Sequence, residues 1–248
     1  MKSKLTLLIT ALSFATAAFG QAAKPVAPAK LPTAQEIVAK YTKAVGGREA
    51  AEKIKSWTTK GTVELSPMGI QGTFEQIQSA PDRSFTKLTL AGIGDILDGY
   101  DGKTAWSINP IQGSREKTGT ELLQTKLTNN FYRDINLDKL YPKMEVKGIE
   151  KVGGKDAYVV SATPEGLPAS TMYFDVDSGL LVRADNTIVA PEGQQPVTVF
   201  IEEMKQVDGV MVPSKIRTKL PSFEMIMTVT EVKSGPPIDD AKFARPKA

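Results

Sequence analysis

The chain has 248 residues, with 31 lysines and arginines against 28 aspartates and glutamates, and it contains neither cysteine nor histidine. The absence of these two residue types excludes disulfides, thiol nucleophiles and histidine-based acid–base or metal chemistry. The near-neutral charge balance disfavours nucleic acid as a partner, for which a clustered basic face is expected.

The first twenty residues are typical of a cleavable secretory signal peptide. Lys2 and Lys4 precede an apolar stretch of about fifteen residues, Leu5–Phe19, and small residues lie at Ala18 and Gly20. This stretch is shorter than the roughly 20 residues of a membrane-spanning helix, and no later segment approaches that length. We therefore predict cleavage after Gly20 and export without a lipid anchor, since no cysteine can accept a lipid. An uncleaved amphipathic anchor is the alternative, which the lack of a charged face disfavours.

Residues 21–32 form a predicted tether, because three prolines in twelve residues favour extended conformations. A helix is predicted to follow, since Thr33 and Glu36 have the spacing of a capping box and apolar residues recur at helical spacing behind them. A glycine pair at 46–47 ends this helix, and a shorter helical segment is predicted over 48–55.

From residue 56 onward the apolar pattern alternates with a period of two, which predicts half-buried strands. Turn sequences rich in aspartate and glycine separate the strands, so neighbours are expected to be antiparallel. One interruption has helical spacing, with Thr118 and Glu121 as a second capping-box candidate. The strands are predicted over 57–65, 70–79, 83–91, 103–109, 143–151, 156–163, 169–176, 180–188, 196–206, 211–220 and 223–233.

These elements predict a mainly β, α+β fold in one domain over 33–248. A single antiparallel sheet of about eleven strands must curl, because strand twist accumulates across a wide sheet. We therefore expect a highly curved sheet or incomplete β-barrel, whose concave face is covered by the N-terminal helix and the inserted helix. No repeat of fixed period is present, which disfavours propellers and solenoids.

The remaining acid–base candidates are adjacent carboxylates, at Glu202-Glu203 and Asp239-Asp240. Neighbouring strand residues point to opposite faces, so such a pair cannot converge on one substrate atom. Asp175, Asp177 and Asn186 do not have the spacing of a calcium loop. The sequence therefore favours a binding protein over an enzyme and predicts no catalytic residue, metal or cofactor.

Methionines recur on or beside the predicted strands, and this pliable side chain suits both cores and adaptable apolar binding surfaces. Phe223, Met225, Met227 and Val229 alternate onto one face of the last strand. Two interpretations stay open for this stripe, core packing and the lining of an open apolar cavity.

Two segments resemble the LolA family of periplasmic lipoprotein carriers. The segment Asp101–Trp106, followed by Asn109-Pro110, is similar to a family motif, and Ile238–Phe243 is similar to the closing segment of that family. The order of helices and strands agrees across most of the chain. The resemblance implies a periplasmic protein with an incomplete barrel whose apolar interior takes lipid or lipoprotein acyl chains.

One position departs from the family pattern. The family has an arginine before the proline that opens an early strand, and that arginine is tied to lid closure, whereas here Ala80 precedes Pro81. Arg83 lies two residues beyond Pro81, and from this position it need not take the place of the family's arginine.

The leading hypothesis is a periplasmic carrier or binder of acyl chains. A protein that binds an envelope partner along an exposed strand or on its helical face is the alternative, and an enzyme that uses carboxylates alone is a third. The expected partners are lipid or lipoprotein acyl chains for the first hypothesis and inner- or outer-membrane proteins for the second. The chain itself is not expected to span the membrane. The candidate ligand-binding residues are Trp57, Phe74, Trp106, Met172, Phe200, Met225 and Met227.

Overall fold

The computed structural model describes residues 30–190 and 193–246. The predicted signal peptide lies outside these residues, as does the predicted tether up to residue 29. From Leu31 onward, the described residues belong to one compact unit. None of its helices has the length and apolar composition needed to span a membrane.

Thirteen strands form one curved antiparallel sheet that does not close, which confirms the predicted fold class. The strands are β1 (Ser56–Ser66), β2 (Ile70–Ser79), β3 (Arg83–Leu90), β4 (Gly94–Tyr100), β5 (Ala105–Asn109), β6 (Gly113–Lys117), β7 (Lys143–Val152), β8 (Lys155–Thr163), β9 (Ser170–Asp175), β10 (Leu181–Ala190), β11 (Gly193–Val207), β12 (Val210–Lys219) and β13 (Glu224–Gly235).

Two of these strands, β4 and β6, are absent from the prediction. Their sequences, GDILDGY and GSREK, contain glycine and charged residues in place of alternating β-branched residues. They are strands because tight turns fold them back onto β3 and β5, where a partner backbone is available for hydrogen bonding. Pairing within a hairpin thus outweighs the weak preference of these two sequences for strand conformation.

Consecutive strands pair with each other, except for β6 and β7. One further pairing, between β1 and β13, joins the first half of the sheet to the second, with register pairs that include Trp57↔Ser234 and Leu65↔Met225. The sheet therefore ends at β6 on one side and at β7 on the other.

Four α-helices accompany the sheet in the described residues: α1 (Ala34–Ala44), α2 (Gly47–Lys53), α3 (Gly119–Thr128) and α4 (Leu137–Leu140). The capping box of α1 is confirmed, since the Glu36 amide donates to Thr33 Oγ1 at 3.2 Å and the Thr33 amide donates to Glu36 Oε2 at 2.7 Å. The second capping box is wrong. Thr118 caps α3 without a side-chain hydrogen bond, because Glu121 instead binds Arg115 on β6.

The helices lie on one face of the sheet, which we call the inner face. The apolar side of α1, including Ile37, Val38 and Tyr41, packs on Met172 and Phe174 of β9. The rings of Tyr41 and Phe174 meet edge to face with centroids 5.4 Å apart. This contact anchors the helical cover over the second half of the sheet.

The C-terminal segment covers the opposite, outer face at β3 to β5. Phe243 is fully buried there, and its carbonyl accepts a hydrogen bond of 2.9 Å from Trp106 Nε1. The Arg83 guanidinium lies 5.5 Å from the centre of the Phe243 ring and forms an ion pair with Asp240. The two segments that resemble the LolA family therefore meet in space, as one contact between a sheet and the end of the chain.

Arg83 contacts the C-terminal segment and not the helical cover. Its guanidinium donates to the Ala80 carbonyl at 3.1 Å and contacts the C-terminal segment on the outer face. The helical cover lies on the other side of the sheet, so Arg83 fastens the chain end and not the cover.

We expect substitution of Phe243→Ala to lower the free energy of unfolding by about 3–5 kcal/mol, because it empties a fully buried aromatic site. Lys242→Ala, which changes the adjacent exposed residue, is the control and should cost less than about 0.5 kcal/mol. Urea denaturation followed by circular dichroism measures both. Equal effects of the two substitutions would show that the C-terminal segment is not part of the packed structure.

Candidate ligand-binding site

A cavity of about 460 Å³, which we call cavity 1, lies between the inner face of the sheet and its cover. The floor is formed by β1, β2, β12 and β13. The cover is formed by α2 and the segment 128–135, which runs from the end of α3 through a 3₁₀ turn. The cavity exists because the curved sheet leaves space that the short helices do not fill.

Most of the floor is apolar. Five side chains from three strands define it: Trp57 on β1, Phe74 on β2, and Met227, Val229 and Val232 on β13. The Phe74 ring lies over Gly61, where an added Cβ would come within 2.5 Å of the ring. A glycine at this position therefore lets the ring lie flat against the sheet.

One side of cavity 1 is polar. Gln76 and Gln78 project from β2, and Asn130, Arg133 and Asp134 come from the cover. An apolar floor with convergent polar groups on one wall is the usual composition of a site for an amphipathic small molecule.

A second cavity of about 450 Å³, cavity 2, lies on the other side of α3 against β10 to β12. Thr128 and Arg133 line both cavities. The end of α3 and the 3₁₀ turn that follows it therefore form the divider between the two spaces.

Helix α3 bridges the open side of the sheet. Arg115 of β6 donates to both carboxylate oxygens of Glu121 at 2.7 Å. The Gln124 amide donates to the Thr187 carbonyl at 2.7 Å and accepts from the Val189 amide at 2.9 Å, in the part of β10 beyond its pairing with β9. These side chains hold the helix between the two halves of a sheet that does not close.

The segment 128–135 is also held at defined points. Arg48 of α2 donates to the Ile135 carbonyl at 2.6 Å and to Asn136 Oδ1 at 3.1 Å. The Phe131 amide donates to the Pro81 carbonyl at 3.0 Å, and the Tyr132 hydroxyl donates to the Ile54 carbonyl at 3.2 Å. The cover is therefore attached to α2 and to the sheet margin by a few separate hydrogen bonds.

The charged pair at the divider changes the titration of its neighbours. Burial raises the pKa of Tyr41 well above its ordinary value, and the charge of Asp134 raises it further. The charge of Asp134 also raises the pKa of Arg133, against the opposing effect of burial. Arg133 therefore stays protonated, and the Tyr41 hydroxyl stays neutral, at any physiological pH.

The structure brings three of the seven predicted ligand-binding residues together in cavity 1: Trp57, Phe74 and Met227. Met172 and Met225 share the inner face but lie outside the cavity. Met172 is buried under α1, and Met225 packs in a separate apolar cluster with Val63, Leu65 and Leu90.

Trp106 and Phe200 lie on the outer face, away from both cavities. Trp106 on β5 is the register partner of Gly99 on the adjacent strand β4, and its side chain packs on the C-terminal segment. Phe200 lies between two guanidinium groups, 5.7 Å from Arg183 and 4.1 Å from Arg217. Composition alone could not separate these aromatic residues from Trp57 and Phe74, because all four lie on alternating strands.

The adjacent carboxylates have structural partners. Glu202 is paired with Arg217 at 2.6 Å and Lys215 at 3.3 Å, and the hydrogen bond from Arg217 lowers its pKa. Asp239 accepts from the Ala241 amide at 2.9 Å, and Asp240 pairs with Arg83.

Asp175 accepts from the amide and the hydroxyl of Ser178, as expected of a residue that shapes a turn. Within the described residues, no group of three or more acidic side chains could hold a metal ion.

Sequence reasoning assigned no role to Asn130, Arg133 or Asp134. They follow a predicted helix, in a segment without a recognisable motif, and only the tertiary structure places them against β1, β2 and β13. An Arg-Asp pair between apolar residues, Tyr132 before it and Ile135 after it, was the one available signal.

The predicted resemblance in fold is confirmed, because solved structures that include a LolA superfamily protein match this chain over most of its length. No protein-family model and no curated protein matches the sequence.

Three solved structures illustrate the likeness. A LolA superfamily protein from Nitrosomonas europaea matches with 13% identity and a TM-score of 0.57, over 87% of this chain and 99% of its own. A DUF1329 family protein from Desulfovibrio piger matches with 12% identity and a TM-score of 0.57, over 85% of this chain and 96% of its own. An outer membrane lipoprotein-sorting protein domain from Vibrio parahaemolyticus matches with 11% identity and a TM-score of 0.50, over 84% and 94%.

We expect Arg48→Ala to loosen the segment 128–135, because two hydrogen bonds from one guanidinium are lost, at a cost of about 1–2 kcal/mol. Hydrogen exchange of the Arg133, Ile135 and Asn136 amides should become faster, roughly tenfold. Lys53→Ala, which removes an exposed ion pair with Glu49 on the same helix, should leave these amides unchanged. Unchanged exchange in Arg48→Ala would mean that other contacts hold the cover.

Proposed function

We propose that this chain is a periplasmic carrier or binder of lipid or lipoprotein acyl chains, which it holds in cavity 1. The single observation that carries the proposal is a cavity of about 460 Å³ with an apolar floor under a helical cover. Transfer of an acyl chain from water to such a surface is favourable by about 0.8 kcal/mol for each buried CH₂ group.

The proposed chain-binding surface consists of Trp57, Phe74 and Met227, extended by Val229 and Ile216. Methionine and the flat aromatic rings adapt to a flexible chain without a fixed hydrogen-bonding pattern. Met172 and Met225 belong to the neighbouring cores and would support this surface from the sides. The proposed export by a signal peptide is consistent with a ligand that originates at membranes.

The unpaired edges of the open sheet favour a second function, addition of a strand from a protein partner. In the described residues, β6 and β7 each pair on one side alone. However, β7 carries Lys143, Glu145, Lys147, Glu150 and Lys151, and charges on an edge strand oppose pairing with another chain. The cavity is therefore the better supported binding site.

Met227→Trp tests the carrier proposal, because a larger ring would occupy the floor of cavity 1. We expect the dissociation constant of the fluorescent fatty acid cis-parinaric acid to rise by roughly tenfold or more, a loss of about 1.4 kcal/mol or more. Thr228→Trp is the matched control, since the adjacent Thr228 is exposed and points to the outer face.

Circular dichroism of both variants should match that of the wild type. Mass spectrometry of the protein purified under native conditions gives a second measurement, and we expect a co-purified acyl compound. A wild-type protein that neither carries such a compound nor binds the fatty acid would refute the proposal. Equal weakening by both substitutions would place the binding site outside cavity 1.

A further inference from the structure

A single arginine lies at the junction of the two cavities. Arg133 is the first residue of the 3₁₀ turn in the cover, and it lines both spaces. Its side chain is partly exposed, with 42% of its surface accessible.

A guanidinium that is partly removed from water is stabilised by anionic partners, since desolvation of its charge is costly. Its one ion pair in the described part of the chain joins Arg133 Nε to Asp134 Oδ1 at 3.6 Å. This distance exceeds the roughly 2.7–2.9 Å of a strong charge-assisted hydrogen bond. Asp134 also interacts with the Tyr41 hydroxyl, so its negative charge is divided between Tyr41 and Arg133. The positive charge of Arg133 is therefore only partly neutralised by Asp134.

The other charged side chains of the cavity walls are paired more closely. Lys117 lies 2.5 Å from Asp98, and Glu121 lies 2.7 Å from Arg115. Both pairs lie at the margin of cavity 2, and within each pair the two charges neutralise each other. Among the charged residues that line the two cavities, Arg133 is thus the one best placed to accept a further anion.

A polar group in the lining of cavity 1 lacks a hydrogen-bond partner. Asn130 Oδ1 is buried and makes no hydrogen bond within the described residues. The Asn130 carbonyl accepts the Arg133 amide at 3.0 Å, so the two residues are fixed in one turn. A buried acceptor without a partner is uncommon in folded proteins, and it indicates a place for a hydrogen-bond donor of a ligand and not for an oxyanion.

We propose that Arg133 binds the anionic headgroup of an acyl ligand, a carboxylate or a phosphate, while the acyl chain lies on the floor of cavity 1. The planar guanidinium can donate two parallel hydrogen bonds to such an oxyanion. This inference rests on the proposed function and adds to it the chemical class of the ligand.

The test compares ligands that share one chain and differ in charge. Palmitate and methyl palmitate, each titrated as monomers into the full-length protein by displacement of cis-parinaric acid, report the contribution of the carboxylate. We expect the wild type to bind palmitate more tightly than the ester. In Arg133→Gln the affinity for palmitate should fall roughly 10- to 100-fold, while the affinity for the ester stays within about twofold.

Two further variants separate a headgroup contact from a structural role. Arg133→Lys keeps the charge and should retain part of the preference for palmitate. Lys126→Gln removes an exposed cation from the neighbouring helix and should leave the preference unchanged. The ratio of the two affinities is measured within each variant, so a general loss of folding would lower both and leave the ratio as it was.

Lysophosphatidate and inorganic phosphate extend the test to phosphate. Competition by lysophosphatidate alone would assign the site to a lipid headgroup, whereas competition by inorganic phosphate at similar concentration would show a site for the free anion and overturn the proposal. Equal binding of palmitate and its ester by the wild type would refute the role of Arg133 and leave the carrier proposal intact. Failure of every acyl compound to bind would refute the carrier proposal and the headgroup site with it.

Discussion

The pairing of β1 with β13 is the constraint on which the rest of the structure depends. It joins the two ends of the domain, which are remote in sequence, and brings Val63 and Gly61 of β1 beside Met227 and Val229 of β13 on one face. The first half of the sheet would otherwise be an independent meander, and the floor of cavity 1 would be divided between two surfaces. A bulge between Lys60 and Gly61 bends the sheet at this seam, which contributes to its curvature.

A curved sheet of this width must either close or have its concave face covered. Here α3 is held across the opening by side chains, with Glu121 bound to β6 and Gln124 bound to β10. Side-chain contacts fix the helix without filling the interior, because the apolar residues of α3 are few and none of them is buried. The cavities on both sides of α3 are a consequence of this arrangement, and Arg133 lies at their junction.

The two faces of the sheet make different contacts. On the outer face, Trp106, Arg83 and Phe243 attach the end of the chain, and Phe200 is enclosed by Arg183 and Arg217. On the inner face, the aromatic residues border open space. The segments that resemble the LolA family belong to the outer face, so they report the fold and not the ligand.

The sequence by itself determined the class of the fold, the order of its elements and the capping of α1, because alternation, helical spacing and turn residues are local signals. It did not predict β4 and β6, whose strand conformation comes from hairpin pairing. Of its seven candidate ligand-binding residues, Trp57, Phe74 and Met227 line cavity 1, Met172 and Met225 pack elsewhere on the inner face, and Trp106 and Phe200 lie on the outer face. The sequence could not separate them, since alternation shows that residues share a face only within one strand. The tertiary structure alone decided which face is covered and that Arg133 lies between two cavities. Both features depend on the register of β1 with β13 and on how far the short helices reach across the sheet.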